Sequence, residues 1–122
     1  MRHSSTLLVV VAVAAAVLAC ASTAAAPPVG PLPAGPVSKI ETGKGQLVAV
    51  ALPHRANGRV WRIARAFDGR VLRQSGEADV GSQVVVVFRA VGAGKTTVSF
   101  GLTRGERAKA YESRRFVVTV RR

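Results

Sequence analysis

Two neighbouring stretches of the chain decide the fold: Val84-Val85-Val86-Val87-Phe88-Arg89-Ala90 and Thr96-Thr97-Val98-Ser99-Phe100-Gly101-Leu102. In both, residues suited to a buried sheet face recur at every second position, and several are β-branched or aromatic. Such alternation is typical of a β-strand with one buried face, so we predict two strands with Phe88 and Phe100 directed inward. The run of four valines also favours a central strand that is buried on both faces.

The same period of two recurs in shorter stretches after residue 36. Further candidate strands are Val48 to Leu52, Trp61 to Ile63 and Phe116 to Val120, with weaker ones at 37–40 and 71–72. No stretch keeps the 3.6-residue apolar period of a helix, so we expect at most a short helical turn near 106–110. Six to eight short strands separated by glycine-containing turns predict an all-β fold, an immunoglobulin-like β-sandwich over residues 37–122.

The N-terminal part differs in composition from the rest of the 122-residue chain. Arg2 precedes an apolar run from Leu7 to Ala19, whereas all six acidic residues and 17 of the 18 basic residues come later. An apolar run of this length is too short for a spanning helix and is typical of a signal peptide. We therefore expect residues 1–19 to direct export to the periplasm or cell envelope of a bacterium, or secretion.

Cys20 is the only cysteine of the chain. The segment Val17-Leu18-Ala19-Cys20 resembles the lipobox of bacterial lipoproteins, and the resemblance implies that Cys20 is lipidated and anchors the protein to a membrane. The alternative is ordinary cleavage after Ala21 or Ala26, which would remove Cys20. Either way the mature domain has no internal disulfide. Residues 20–36 include five prolines and two glycines, so we predict an extended linker.

The predicted domain lacks the residue patterns of catalysis. It has one histidine, His54, no cysteine and six scattered carboxylates, so we expect no enzyme, no metal site and no cofactor. Gly94-Lys95-Thr96 imitates the end of a phosphate-binding loop, but Arg89 stands where that motif needs glycine and no helix is predicted to follow. We predict a hairpin turn there instead.

Four segments resemble the chagasin-like cysteine-protease inhibitors, which are small immunoglobulin-like sandwiches. They are the pattern from Gly45 to Pro53, Gly58 followed three residues later by Trp61, the stretch from Phe88 through Gly94 to Phe100, and the terminal strand from Arg115 to Val120. The resemblance covers most of residues 40–120 and rests mainly on scaffold residues. It implies a monomer that binds papain-like cysteine proteases by inserting three loops into the active-site cleft.

The resemblance also implies which residues form those loops. The first reads His54-Arg55-Ala56-Asn57-Gly58 and keeps only the glycine of the family's Asn-Pro-Thr-Thr-Gly motif. The second, Ala78-Asp79-Val80-Gly81, keeps Gly81, and the third, Arg104-Gly105-Glu106, keeps the arginine but lacks the proline and tryptophan that follow it in the family. Asn57 and Gly58 also suit an ordinary tight turn, and Trp61 is expected to lie in the core beneath the first loop.

Basic residues are frequent around the first and third loops. They are Arg55, Arg59, Arg62, Arg65, Arg104, Arg107, Lys109, Arg114 and Arg115. A basic surface favours acidic partners and anionic surfaces, whereas the few aromatic residues do not suggest nucleic-acid binding. Two functions therefore remain open: a diverged protease inhibitor, or a non-inhibitory envelope module that binds an anionic surface or partner through this end. A solvated arginine-rich face is the third interpretation.

Overall fold

The computed structural model describes residues 29–105 and 109–122, which form seven β-strands. The strands are β1 Val37–Gly43, β2 Leu47–Pro53, β3 Arg59–Ile63, β4 Leu72–Val80, β5 Gln83–Ala90, β6 Gly94–Arg104 and β7 Ala110–Arg121. The predicted signal peptide and Cys20 lie outside the described residues, as does most of the turn expected near 106–110. No helix in the described ranges has the length and apolarity needed to cross a membrane.

The seven strands form two sheets, in the order β1-β7-β6-β3 and β2-β5-β4. All pairs are antiparallel except β1 with β7, which is parallel. The predicted all-β immunoglobulin-like sandwich is therefore confirmed, with a strand number inside the expected range. β5 is the central strand of its sheet, as predicted, but Val85 and Val87 on its outer face are only half-buried, because no described segment covers that face.

The core lies between the inward faces of the two sheets. Phe88 and Phe100 are almost completely buried, as the alternation predicts, and each makes an edge-to-face contact with another phenylalanine. Burial of a side chain of this size contributes about 1.5–3 kcal/mol to stability. The other core residues are Val48, Val50, Leu52, Val71, Leu72, Val86, Ala90, Val98, Val118 and Val120.

The described part of the predicted linker, residues 29–36, packs against the outer face of the four-stranded sheet. Val29 is buried, and Val29 and Leu32 both lie over Gly101, where a side chain would leave them little room. The Ser113 hydroxyl donates a hydrogen bond of 2.6 Å to the Pro33 carbonyl, and Arg65 donates to the Val29 carbonyl at 3.0 Å. The packed part of the chain therefore begins by Val29 rather than at Val37.

The segment around Gly94 is not the hairpin that the sequence predicts. β5 and β6 belong to different sheets, so residues 91–93 carry the chain from one sheet to the other. The Gly92 amide donates a hydrogen bond to the Val71 carbonyl, and a side chain at Gly92 would overlap the Arg70 carbonyl oxygen. Alternation on both sides of a glycine-rich break is equally compatible with a hairpin and with a crossing between sheets. The expectation that no phosphate-binding helix follows agrees with the structure, in which β6 begins at Gly94.

Candidate functional site

The three connections expected to form loops lie at the same end of the sandwich. Pro53 at the end of β2 pairs with Gln83 at the start of β5, which places the β2–β3 loop beside the β4–β5 turn. Arg59 at the start of β3 pairs with Arg104 at the end of β6, which places the β2–β3 loop beside the β6–β7 loop as well. We call this end of the molecule the loop end.

The first loop, residues 54–58, carries the chain from one sheet to the other. Asn57 and Gly58 have φ angles of 67° and 72°, in the left-handed region that most side chains disfavour. His54, Arg55, Ala56, Asn57 and Gly58 are all exposed. Two successive left-handed residues turn the chain sharply and expose backbone groups at the tip of the loop. The chain then enters β3 at Arg59.

Trp61 supports the first loop from below. Its ring is half-buried against the core, as expected, and its indole nitrogen donates a hydrogen bond of 2.8 Å to the Pro53 carbonyl. Because Pro53 is the last residue before the loop, this bond fixes one end of the loop to the facing sheet.

The second connection is shorter than the sequence suggests. Ala78, Asp79 and Val80 belong to β4, so the expectation of a loop at 78–81 is wrong for three of its four residues, because β4 pairs with β5 up to Val80. Only Gly81 lies in the turn, with a φ of 59°. The turn lies beside the first loop: the His54 amide donates to the Ser82 carbonyl at 3.0 Å.

The His54 side chain also contacts the end of β4. Its Nε2 atom lies 3.3 Å from an Asp79 carboxylate oxygen, and both side chains are substantially exposed. Contacts of this kind are weak in water, so the pair adds orientation more than stability.

The third loop follows β6. Arg104 and Gly105 are exposed, Gly105 has a φ of 62°, and Glu106 lies outside the described residues. The Arg62 guanidinium donates a hydrogen bond of 2.8 Å to the Gly105 carbonyl, which ties the start of this loop to β3.

Three arginines surround one carboxylate between the first and third loops. Arg55 makes a bidentate pair with Glu112: Nε donates to Oε2 at 2.8 Å and Nη2 to Oε1 at 3.0 Å. The hydrogen bond from Arg55 is the main cause that lowers the pKa of Glu112; burial opposes it, and the charges of Arg55, Arg114 and Arg59 add to it. We call Arg55, Arg59, Arg114 and Glu112 the arginine cluster.

Aromatic rings hold the other two guanidinium groups of the cluster. The Arg59 guanidinium lies 4.1 Å from the centre of the Tyr111 ring, and that of Arg114 lies 5.8 Å from the centre of the Trp61 ring. Lys109 approaches the Tyr111 ring as well, at 5.0 Å. Stacking of this kind restricts a long side chain to one region without neutralising its charge.

The expected basic patch forms only in part. Arg65 is directed to the carbonyls of Val29 and Gly30, and Arg115 occupies an outward position in β7. Arg107 lies outside the described residues. The loop end therefore keeps Arg55, Arg59, Arg62, Arg104, Lys109 and Arg114.

Two contributors were missed by the sequence reasoning, Tyr111 and Glu112. Glu112 is 57 residues from Arg55, a separation that no local pattern spans. The available signal was its spacing from Phe116, because positions 112, 114 and 116 lie on the same face of β7. Glu112 and Arg114 are therefore two charged residues on the face that carries core residues from Phe116 onward. Tyr111 has no such signal. The β6–β7 register is irregular between Leu102 and Thr103, which pair with Glu112 and Ala110, so Tyr111 lies at the irregularity and alternation does not predict its position.

Within the described residues, no group of three or more His, Cys, Asp or Glu side chains could hold a metal ion. The geometry of the loop end offers exposed backbone at three turns and a fixed positive charge beside them. Such an arrangement suits binding to another macromolecule.

Comparison with solved structures finds a cysteine protease inhibitor of similar fold, EhICP2 from Entamoeba histolytica. It is 16% identical over 73% of this chain and 99% of that chain, with a TM-score of 0.53. The predicted likeness to the chagasin-like inhibitors is thus confirmed for the fold, and EhICP2, one of the matching structures, is an inhibitor and not an enzyme. No family model and no curated protein sequence matches this chain.

Proposed function

We propose that this protein inhibits papain-like cysteine proteases by inserting the loop end into the active-site cleft. The observation that carries the proposal is the convergence of three glycine-containing connections at one end of a sandwich whose fold matches a cysteine protease inhibitor. A wedge of loops on two rigid sheets can enter a cleft with little loss of conformational entropy.

The binding would be reversible, and backbone groups of the loops would make the deepest contacts in the cleft. The left-handed residues Asn57 and Gly58 place peptide groups at the tip of the first loop, where they can reach the floor of a cleft. The inhibitor needs no reactive group of its own, since occupation of the cleft excludes substrate. Gly81 and Gly105, in the flanking connections, also have positive φ angles and would contact the sides of the cleft.

The choice of target would depend on the flanks of the wedge. The third loop lacks the tryptophan and proline of the resembled family, and tryptophan is a frequent anchor of binding energy. In this chain the side of the loop end formed by the third loop carries charged groups: Arg104 lies in that loop, and the arginine cluster lies beside it. We therefore expect the target proteases to differ from those of the resembled family.

The proposal is tested by titrating papain-like proteases with the protein and following hydrolysis of a peptide substrate. We expect stoichiometric inhibition at sub-micromolar concentration of at least one of them. Ala56→Trp adds bulk at the exposed tip of the first loop and should weaken inhibition at least tenfold. Ala93→Trp is the matched control, because Ala93 is also exposed and lies at the opposite end of the sandwich. No inhibition at ten micromolar across a panel of such proteases would contradict the proposal.

The site of action rests on the N-terminal sequence. We propose that the protein is exported and that Cys20 carries a lipid anchor, on the support of the apolar run and the lipobox-like segment. Labelling with a radioactive fatty acid should mark the wild-type protein and not Cys20→Ser. An unlabelled wild-type protein would favour ordinary cleavage and secretion.

The competing function is an envelope module that binds an anionic surface or partner without inhibiting a protease. The observation that favours it is the basic loop end. It predicts retention on anionic vesicles or polysaccharide at low salt and release at high salt. Retention that does not depend on salt would count against it.

A further inference from the structure

The arginine cluster has more guanidinium groups than carboxylates. Glu112 is its one carboxylate, and Arg55 binds both oxygen atoms of that group. Within the part of the chain that the structure describes, neither Arg59 nor Arg114 has a carboxylate within 4.0 Å. Two positive charges therefore lie beside the first and third loops without an ion pair of their own among the described residues, and Glu112, already bound by Arg55, is the carboxylate near them.

These two guanidinium groups are held in position before any partner arrives. Both side chains are half-buried, and each lies over an aromatic ring, Tyr111 for Arg59 and Trp61 for Arg114. Their Nε atoms are buried and make no hydrogen bond within the described ranges. A guanidinium group that is already positioned loses less side-chain entropy when it binds a carboxylate.

Arginines at the opposite end of the sandwich differ in this respect. Arg70 pairs with Asp68 and Arg121 with Glu41, and their side chains are 91% and 60% exposed. Each of these guanidinium groups already has a carboxylate partner, and such exposed pairs are screened by salt. Basic residues occur over the whole chain, but Arg59 and Arg114 are half-buried over aromatic rings and have no carboxylate within 4.0 Å among the described residues.

We propose that Arg59 and Arg114 bind carboxylates of an acidic protein surface, and that this surface is the rim of the target protease's cleft beside the third loop. The second part rests on the proposed inhibitory function. The first part does not, because it follows from the position and stacking of the two guanidinium groups.

A protein carboxylate fits the site better than a lipid headgroup. Arg59 and Arg114 occupy inward-facing positions of β3 and β7 and lie behind exposed residues of the first and third loops. A side chain that projects from a curved protein surface reaches such recessed groups. The flat surface of a bilayer would meet the exposed residues of the loops first.

The expected effect is mainly on the rate of association. Complementary charge accelerates the encounter of two proteins, and salt suppresses the acceleration. The double variant Arg59→Gln with Arg114→Gln should associate about tenfold more slowly with an inhibited protease at low salt, and the difference should shrink at high salt. The double variant Arg73→Gln with Arg89→Gln removes the same charge from exposed positions nearer the opposite end and should stay within about twofold of wild type.

A second measurement uses the unchanged protein and no protease. Hexaglutamate is titrated into the isotope-labelled protein, and the side-chain Nε–H signals of its arginines are followed by nuclear magnetic resonance. We expect the signals of Arg59 and Arg114 to shift at lower peptide concentration than those of Arg70, Arg89 and Arg121. Equal shifts at all of them, or shifts with anionic vesicles and none with hexaglutamate, would overturn the inference.

The association rates and the hexaglutamate titration together distinguish failure of the carboxylate-binding inference from failure of the proposed inhibitory function. Inhibition of a protease at the same rate by both double variants overturns the acidic-rim inference and leaves the inhibitory function standing. Selective hexaglutamate shifts without inhibition of any protease support carboxylate binding and contradict the inhibitory function.

Discussion

Trp61→Phe is the substitution that most directly tests how the first loop is held in place. Phenylalanine keeps most of the ring that packs on the core but loses the indole N–H, which donates a 2.8 Å hydrogen bond to the Pro53 carbonyl. A hydrogen bond of this type contributes about 0.5–1.5 kcal/mol, and a poorly solvated carbonyl left without a partner costs about 1–3 kcal/mol. Because Pro53 is half-buried, we expect the variant to lose about 1–2 kcal/mol.

Much of this loss should fall on the loop, since the bond fixes the residue directly before it. Amide hydrogen exchange at residues 54–58 should then accelerate by about 5–30-fold, and the inhibition constant for a sensitive protease should rise by a similar factor. Overall stability is measured by urea unfolding followed by circular dichroism, because Trp61 is the only tryptophan and its fluorescence disappears in the variant.

Ile63→Val provides the matched control. Ile63 lies on the same strand and packs against the core, and the loss of one methylene group costs about 0.5–1.5 kcal/mol without touching Pro53. The reasoning is refuted if the two variants lose similar stability and show the same exchange rates at residues 54–58. Trp61 would then be an ordinary core residue with no role in positioning the loop.

Three further predictions concern the loop end and the N-terminal segment. Gly58→Ala should destabilise the protein by about 1–2 kcal/mol through its left-handed φ alone, whereas Gly69→Ala, which is equally free of steric contact and has no positive φ, should change little in urea unfolding. A chain that begins at Val37 should be about 2–4 kcal/mol less stable than one that begins at Val29, because it loses the buried Val29 side chain and the hydrogen bonds of residues 29–36. Equal midpoints of urea unfolding for the two chains would show that residues 29–36 do not contribute to stability. The lowered pKa of Glu112 means that its bond to Arg55 contributes fully above the ordinary glutamate pKa of about 4.3 and is lost only as the pH falls through the lower folded-state value. Because this bond holds Arg55 of the first loop, the inhibition constant measured against pH should stay constant between pH 7 and 5 and rise in strong acid. Inhibition by Glu112→Gln should be weaker at every pH and should show no such acid-dependent step.

The sheets were predictable because their information is local. Alternation alone identifies the inward residues of β5 and β6, and Phe88 and Phe100 are buried as expected. The same local pattern could not tell that β5 and β6 belong to different sheets, since a glycine-rich break allows both a hairpin and a crossing. Register and partner choice depend on residues distant in sequence, which the alternation does not specify.

The predicted linker shows a second limit of composition. Prolines and glycines in residues 29–36 do favour extended chain, and the segment has no strand pairing of its own. What composition does not reveal is that Gly101 leaves a shallow place on the outer face of β6, into which Val29 and Leu32 fit. The packing of an extended segment depends on the surface that receives it, and that surface is formed by residues some seventy positions away.

The position of the arginine cluster follows from the difference in length between the facing sheets. On β3 the inward positions run from Ile63 through Trp61 to Arg59, and on β7 from Phe116 through Arg114 to Glu112. Trp61 reaches the Pro53 carbonyl, so it lies level with the end of β2, and the inward positions beyond it have no facing strand to bury them. Apolar residues there would be exposed in the free protein, whereas charged residues with aromatic neighbours stay solvated and ordered. The alternation that builds the core therefore also places fixed guanidinium groups between the first and third loops, where a binding partner would meet them.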